Sequence, residues 1–175
     1  MVSDLILMCQ QHKILALMMP KNMRMWYEMT IVTFLFHICL ILVPIFLTAH
    51  VVMFSMAWGP KWVTLSERTA DWLAIVVILA AIFFLVRRWM LPEVRFVTSP
   101  SDYVLLAIAA APFVTGFVAH QQWFDYETMV VIHIISGAVM LMAIPFTRLS
   151  HMLFFPFTRA YMGSEFGAVR HAKDW

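Results

Sequence analysis

Charge is scarce in this chain: Asp, Glu, Lys and Arg make up 13% of its 175 residues, and 63% are hydrophobic. Soluble domains carry about a quarter charged residues and about half apolar ones. With a mean hydropathy of +0.84, the sequence is that of an integral membrane protein. The formal net charge of +2 is small and its basic residues are scattered, which excludes a nucleic-acid-binding surface. Cysteine is nearly missing too. Cys9 and Cys39 are the two present, with no C-x-x-C-H for covalent haem and no cluster for zinc or iron–sulfur ligation. Any haem is therefore expected to be non-covalent and b-type, and any iron–sulfur centre to belong to a partner. No Asp, Glu, Lys or Arg falls deep inside an apolar run, which argues against a transporter built on buried carboxylates.

Long apolar runs are what the chain has instead. Four are long enough for a membrane helix of about 20 residues: roughly Met29–Met56, Thr69–Val86, Asp102–Ala119 and Thr128–Phe146, the last expected to run on towards His151. Breakers or charge separate them, at Gly59-Pro60-Lys61, from Arg87-Arg88 through Pro92 to Pro100, and from Gln121 to Glu127. Residues 1–28 read as a short interfacial helix or a partner-docking segment, with Asp4 as cap and Pro20 as stop. That stretch lacks a basic leader and a small-residue cleavage site, so it is expected to be retained. The expected fold is all-α: a four-helix transmembrane bundle over residues 29–155, with the interfacial helix before it and a tail over 156–175.

Lys and Arg set the orientation. Lys13, Lys21 and Arg24 precede the first span, Arg87, Arg88 and Arg95 follow the second, and Arg148, Arg159, Arg170 and Lys173 follow the fourth. Those are ten of twelve, leaving Lys61 and Arg68 on the other side. Both termini are therefore expected in the cytoplasm. Trp26, Trp58, Trp62, Trp72, Trp89 and Trp123 fall near span ends, as an interfacial aromatic belt requires.

The ionisable groups that do enter the apolar runs are histidines: His37 and His50 in the first, His133 at the start of the last and His151 at its end. A single such histidine reads as a helix–helix hydrogen bonder. Four at opposed heights read as axial ligands of two haems, paired His37/His151 and His50/His133. The 18 residues from His133 to His151 place both rings on one face of a continuous helix, about 27 Å apart. His50 fits less neatly, since 13 residues from His37 leave an offset near 140° on an ideal helix. Pro44 lies between them and offers a kink. Gly116 and Gly137 suit either close helix packing or room for a porphyrin face.

The stretch IHIISGAVMLMAIPFTRLSHMLFFPFTRAYM, Ile132 to Met162, carries His, Gly, Pro-Phe, Arg-Leu and a second His in the order of a known family, and LFHI around His37 and RRWMLPEVRFVTSPSDYVLL from Arg87 to Leu106 match as well. In these the chain resembles the cytochrome b (gamma) subunit of respiratory nitrate reductases and its relatives in heterodisulfide-reductase-type and sulfate-reducer membrane complexes. The resemblance implies a prokaryotic di-haem b protein passing electrons between quinol outside and an iron–sulfur subunit at the cytoplasmic face. His37, His133 and His151 match family ligands directly, with Gly137 and Arg148 beside them in the motif. His50 matches only in role, and the nitrate-reductase subunit's extra N-terminal span has no counterpart, which favours a heterodisulfide-reductase-like partner.

A quinone headgroup needs polar groups near the outer haem, and Lys61, Arg68, His120, Gln121 and Gln122 are candidates. Lys61 and Arg68 read equally as solvated loop charges. Two other readings stand beside quinol oxidation: electron exchange with an extracytoplasmic multihaem cytochrome c, and a haem-free anchor that tethers a redox complex.

Overall fold

The computed structural model describes residues 26–162, 164 and 165. Their regular structure is helical: α1 Tyr27–Phe46, α2 Thr48–Trp58, α3 Glu67–Met90, α4 Pro92–Val97, α5 Pro100–His120, α6 Tyr126–Phe146 and, after a 3-10 turn at Arg148–Ser150, α7 His151–Met162. Four of these, α1, α3, α5 and α6, are long and apolar enough to cross a membrane. The protein is thus all-α and multi-pass, with the four spans expected from hydropathy. The expected interfacial helix lies mostly outside the described residues, and α1 begins at Tyr27, just ahead of the expected Met29. Thr33–Ser150, from within α1 through the 3-10 turn, forms one compact unit, and α7 belongs to another.

Local chemistry sets the helix ends. Ser66 caps α3 by accepting from the Thr69 amide, and Arg87 and Arg88 sit in its last turn, where cations complement the helix dipole. Ser99 and Asp102 form a reciprocal capping box on α5, with Pro100 in the first turn. Asp125 caps α6 through the Thr128 amide at 2.9 Å. Within Thr33–Ser150 the core is lined by Phe36, Cys39, Leu40 and Val43 of α1, by the small-residue stripe Ala70, Ala74, Val77, Ala80 and Ala81 of α3 and by Ala109 and Phe113 of α5, and the close packing is that of α5 on α3 and on α6. Small residues let membrane helices approach where no hydrophobic effect drives them together. Phe36 and Phe84 meet edge to face at 5.3 Å. α6 buries little besides Ile144, so its apolar exterior is left for lipid.

Two expectations need correction. The first apolar run is not one helix from Met29 to Met56: it breaks at Leu47, which is extended at φ −63° and ψ 128°. Leu47 directly follows the candidate span Tyr27–Phe46, and the backbone groups that the break frees find partners within the chain. The carbonyls of Ile45 and Phe46 accept from the Trp62 indole at 2.8 Å and the Leu65 amide at 2.8 Å, and the Thr48 hydroxyl donates to Leu65 O at 3.1 Å. The connection after α2 is thereby stitched onto the break.

The fourth span, likewise, does not run on to His151. It ends at Phe146, because Pro145 lacks an amide proton and Thr147 is extended at φ −131° and ψ 179°. The Thr147 hydroxyl donates to Ala143 O at 2.6 Å and accepts from the Leu149 amide at 3.2 Å, replacing the helical ladder. His151 opens a separate helix, so the one-face argument for His133 and His151 fails. The expected tail boundary at 155/156 falls inside α7.

Candidate functional site

The break at Leu47 decides where His50 goes. It puts His50 on α2 rather than on α1 with His37, and brings its imidazole to that of His133 on α6, with ring centroids 6.0 Å apart and planes within 10° of parallel. Each ring is anchored at the same atom. His50 Nδ1 lies 2.9 Å from Pro44 O, and His133 Nδ1 lies 2.9 Å from Pro112 O. A carbonyl can only accept, so both Nδ1 atoms must donate and both Nε2 atoms carry the lone pair. A ligating histidine adopts this tautomer, with the backbone partner fixing the ring and raising its basicity.

The environment of His133 is built to hold it. Pro112 and Gly116 lie one turn apart on α5, and the imidazole rests on the bare Cα of Gly116: a Cβ there would come within 2.8 Å of Cε1 and 3.0 Å of Nδ1. Thr115 Oγ1 stands 3.4 Å from Nδ1 and 3.1 Å from Ser136 Oγ, whose hydroxyl donates to His133 O at 2.8 Å. Gly137, one turn on from His133, faces open space, with nothing within 4 Å of a Cβ built on it. The two glycines thus differ: Gly116 serves close packing against the histidine and Gly137 leaves room beside it.

His37, half-buried on α1, donates from Nδ1 to Thr33 O at 2.7 Å and meets Phe36 edge-on at 5.4 Å. It has the same tautomer as the other two. His151 belongs to the other compact unit. Arg148 is engaged with the α5 cap, at 2.9 Å from Asp102 Oδ1 and 2.6 Å from Ser101 Oγ. Among the described residues, no three or more His, Cys, Asp or Glu side chains come together to hold a bare metal ion. Axial ligation of a haem asks for two.

Of the polar candidates, His120 and Gln121 converge on one residue that the sequence reading missed, Asp71. His120 Nε2 is 3.5 Å and Gln121 Nε2 3.4 Å from Asp71 Oδ2. Arg68, Asp71 and Gln121 line an open cavity of about 520 Å³ with Trp72, Ile75 and Phe117. Phe117 follows Gly116 directly, so the cavity and the His50/His133 pair lie at the same level of α5. Lys61 sits in the connection after α2, apart from this lining, and Gln122 takes a left-handed turn at φ 52°. Asp71 could have been found from its spacing, one turn beyond Glu67 on the face of Arg68, but it resembles an ordinary acid near a helix start.

A curated protein of Nitratidesulfovibrio vulgaris, named simply "Protein", is 40% identical to this chain over 141 residues, which are 81% of the chain and 62% of that protein. The chain therefore spans less than two thirds of the length of the curated relative it matches. No family model matches the chain, and no solved structure does.

Proposed function

We propose that this protein is a di-haem b membrane subunit of a respiratory redox complex, carrying electrons across a prokaryotic cytoplasmic membrane between the quinone pool and a cytoplasmic iron–sulfur subunit of heterodisulfide-reductase or nitrate-reductase type. The observation that carries this reading is the His50/His133 pair. His50 and His133 would hold one haem b through their imidazole nitrogens. The two rings lie 6.0 Å apart with planes 10° from parallel, and both Nδ1 atoms are anchored on carbonyls, which leaves the Nε2 atoms for a ligand. Gly137 leaves space beside His133 on the same helix.

His37 and His151 are the second proposed pair, carried by the family resemblance and by the ligand tautomer of His37. Haem b supplies a one-electron iron couple at each pair. The chain's own part is to hold the imidazoles, to keep water away with apolar spans, and to present a polar cavity at one end. Arg68, Asp71, His120 and Gln121 would bind a quinone headgroup there, near the His50/His133 level. With ten of twelve Lys and Arg towards the other side, this end is the outer one and both termini are cytoplasmic.

A reduced-minus-oxidised spectrum of the purified complex tests the reading. Haem b bands are expected, and their absence would leave a haem-free anchor. Asp71→Asn is expected to slow haem reduction by a quinol analogue several-fold at unchanged haem content. An unchanged rate would move the outer partner from quinol towards a cytochrome c.

A further inference from the structure

On a continuous helix the amides of Thr48, Ala49 and His50 would bond to the carbonyls of Pro44, Ile45 and Phe46. His50 would then sit about 140° around the axis from His37. At the break these three successive carbonyls take other donors: His50 Nδ1 at 2.9 Å, Trp62 Nε1 at 2.8 Å and the Leu65 amide at 2.8 Å. Two of the three donors come from the connection between α2 and α3. The Thr48 hydroxyl closes the arrangement onto Leu65 O at 3.1 Å, and Trp62 also packs on Phe54 of α2 at 6.0 Å.

A backbone carbonyl takes a donor wherever one is in reach. If Ile45 O and Phe46 O at the end of the first span lost Trp62 and Leu65, the nearest donors within the chain would be the amides of Ala49 and His50. Taking those donors closes the break into helix, rotates α2 and swings the His50 ring away from His133. We infer that the Trp62–Leu65 segment is a clasp that holds the helix break open and so positions the His50 imidazole. Trp62 is a positioning residue: it acts on the site through Ile45 O and the break.

This inference rests on reading His50 as an axial ligand. The test uses the full chain with Trp62→Phe, which keeps a ring and removes the N–H, and Thr48→Val, which removes only the hydroxyl. Trp58→Phe is the control, because the Trp58 ring packs on Phe54 at 5.2 Å and its N–H has no role in the clasp. Near-parallel axial imidazoles give an ordinary rhombic low-spin ferric signal in electron paramagnetic resonance, and crossed planes give a highly anisotropic one. Wild type is expected to show the rhombic signal for one haem. Trp62→Phe and Thr48→Val should move it towards the anisotropic form, with the second haem unchanged, and Trp58→Phe should leave it in place. An unmoved signal in both variants, or an equal shift in the control, would overturn the clasp.

A second readout separates this inference from the haem assignment. In chain labelled with 15N-histidine and produced under haem limitation, the His50 Nδ1–H should be protected from exchange in wild type and lose that protection in Trp62→Phe. Protection retained there would overturn the clasp whether or not haem binds. Should Trp62→Phe fail to accumulate in membranes, Thr48→Val decides by the same two measurements.

Discussion

His50 and His133 face each other at 6.0 Å with nearly parallel rings, and each is tied through Nδ1 to a proline carbonyl, Pro44 on one side and Pro112 on the other. The two prolines sit in different helices, α1 and α5. Four elements therefore meet at this pair: α1 and α5 supply the acceptors, α2 and α6 the rings. Such a site forms only when the break at Leu47 and the packing of α5 on α6 are both in place, which makes it a sensitive reporter of the fold.

The first prediction concerns haem content. If His50 and His133 ligate one haem and His37 and His151 another, His133→Ala should lower pyridine-haemochrome haem per chain by about half. His50→Ala should have the same effect, and the double variant should lose no more than either single one. A double variant that loses all haem would show that the two pairs do not bind independently.

Asp125 gives a pH-dependent prediction. The Thr128 hydrogen bonds hold its carboxyl below the usual aspartate range. A lowered folded-state value means that the cap stabilises above the unfolded value, about pH 3.9, and that this contribution fades as pH falls through the folded value. Asp125→Ala should therefore unfold at a lower temperature than wild type at pH 7, and the gap should narrow as pH falls below about 3.9. Asp125→Asn, which caps without titrating, should hold its difference from Asp125→Ala across that range in thermal circular dichroism.

The spans were legible in the sequence because run length is a property of composition, and α3, α5 and α6 appear where hydropathy put them. The breaks were not. Leu47 is an apolar residue between apolar residues, and nothing in a hydropathy pattern reports one ψ angle; its stabilisation comes from Trp62 and Leu65, fifteen or more residues away. Thr147 left a clearer trace, a threonine after Pro145, but the His133–His151 spacing suggested a longer helix. The meeting of His50 with His133 was legible by height along the spans, and the misfit of His50 on an ideal helix was the visible sign of the break. Asp71 was hidden by its ordinary place near a helix start.

The topology prediction follows from the Lys and Arg distribution. A reporter fused after Trp175 should be active in the cytoplasm, and one inserted near Asp125 should report the outer side. The opposite pattern would put the Arg68–Asp71–Gln121 cavity on the cytoplasmic face and turn the proposed electron path around.

The two glycines beside His133 give the last prediction, because they make opposite demands. At Gly116 a methyl group would meet the imidazole at 2.8 Å, and the ring cannot yield without giving up the 2.9 Å bond from Nδ1 to Pro112 O. Leaving that carbonyl and ring nitrogen unpaired costs about 1–3 kcal/mol. Gly116→Ala should thus weaken retention of the His50/His133 haem by roughly tenfold or more, read as haem lost on detergent washing, and spare the other haem. At Gly137 a methyl group meets nothing within 4 Å, so Gly137→Ala should leave stability within about 1 kcal/mol of wild type and keep both haems. Gly137→Phe should separate the meanings of that open space. A phenyl ring there would occupy the place beside His133 that a porphyrin needs, and the haem of this pair should be lost while the protein still accumulates in the membrane. If Gly137→Phe retained that haem with an unshifted spectrum, the space would belong to lipid and the porphyrin would have to lie on the other side of His133.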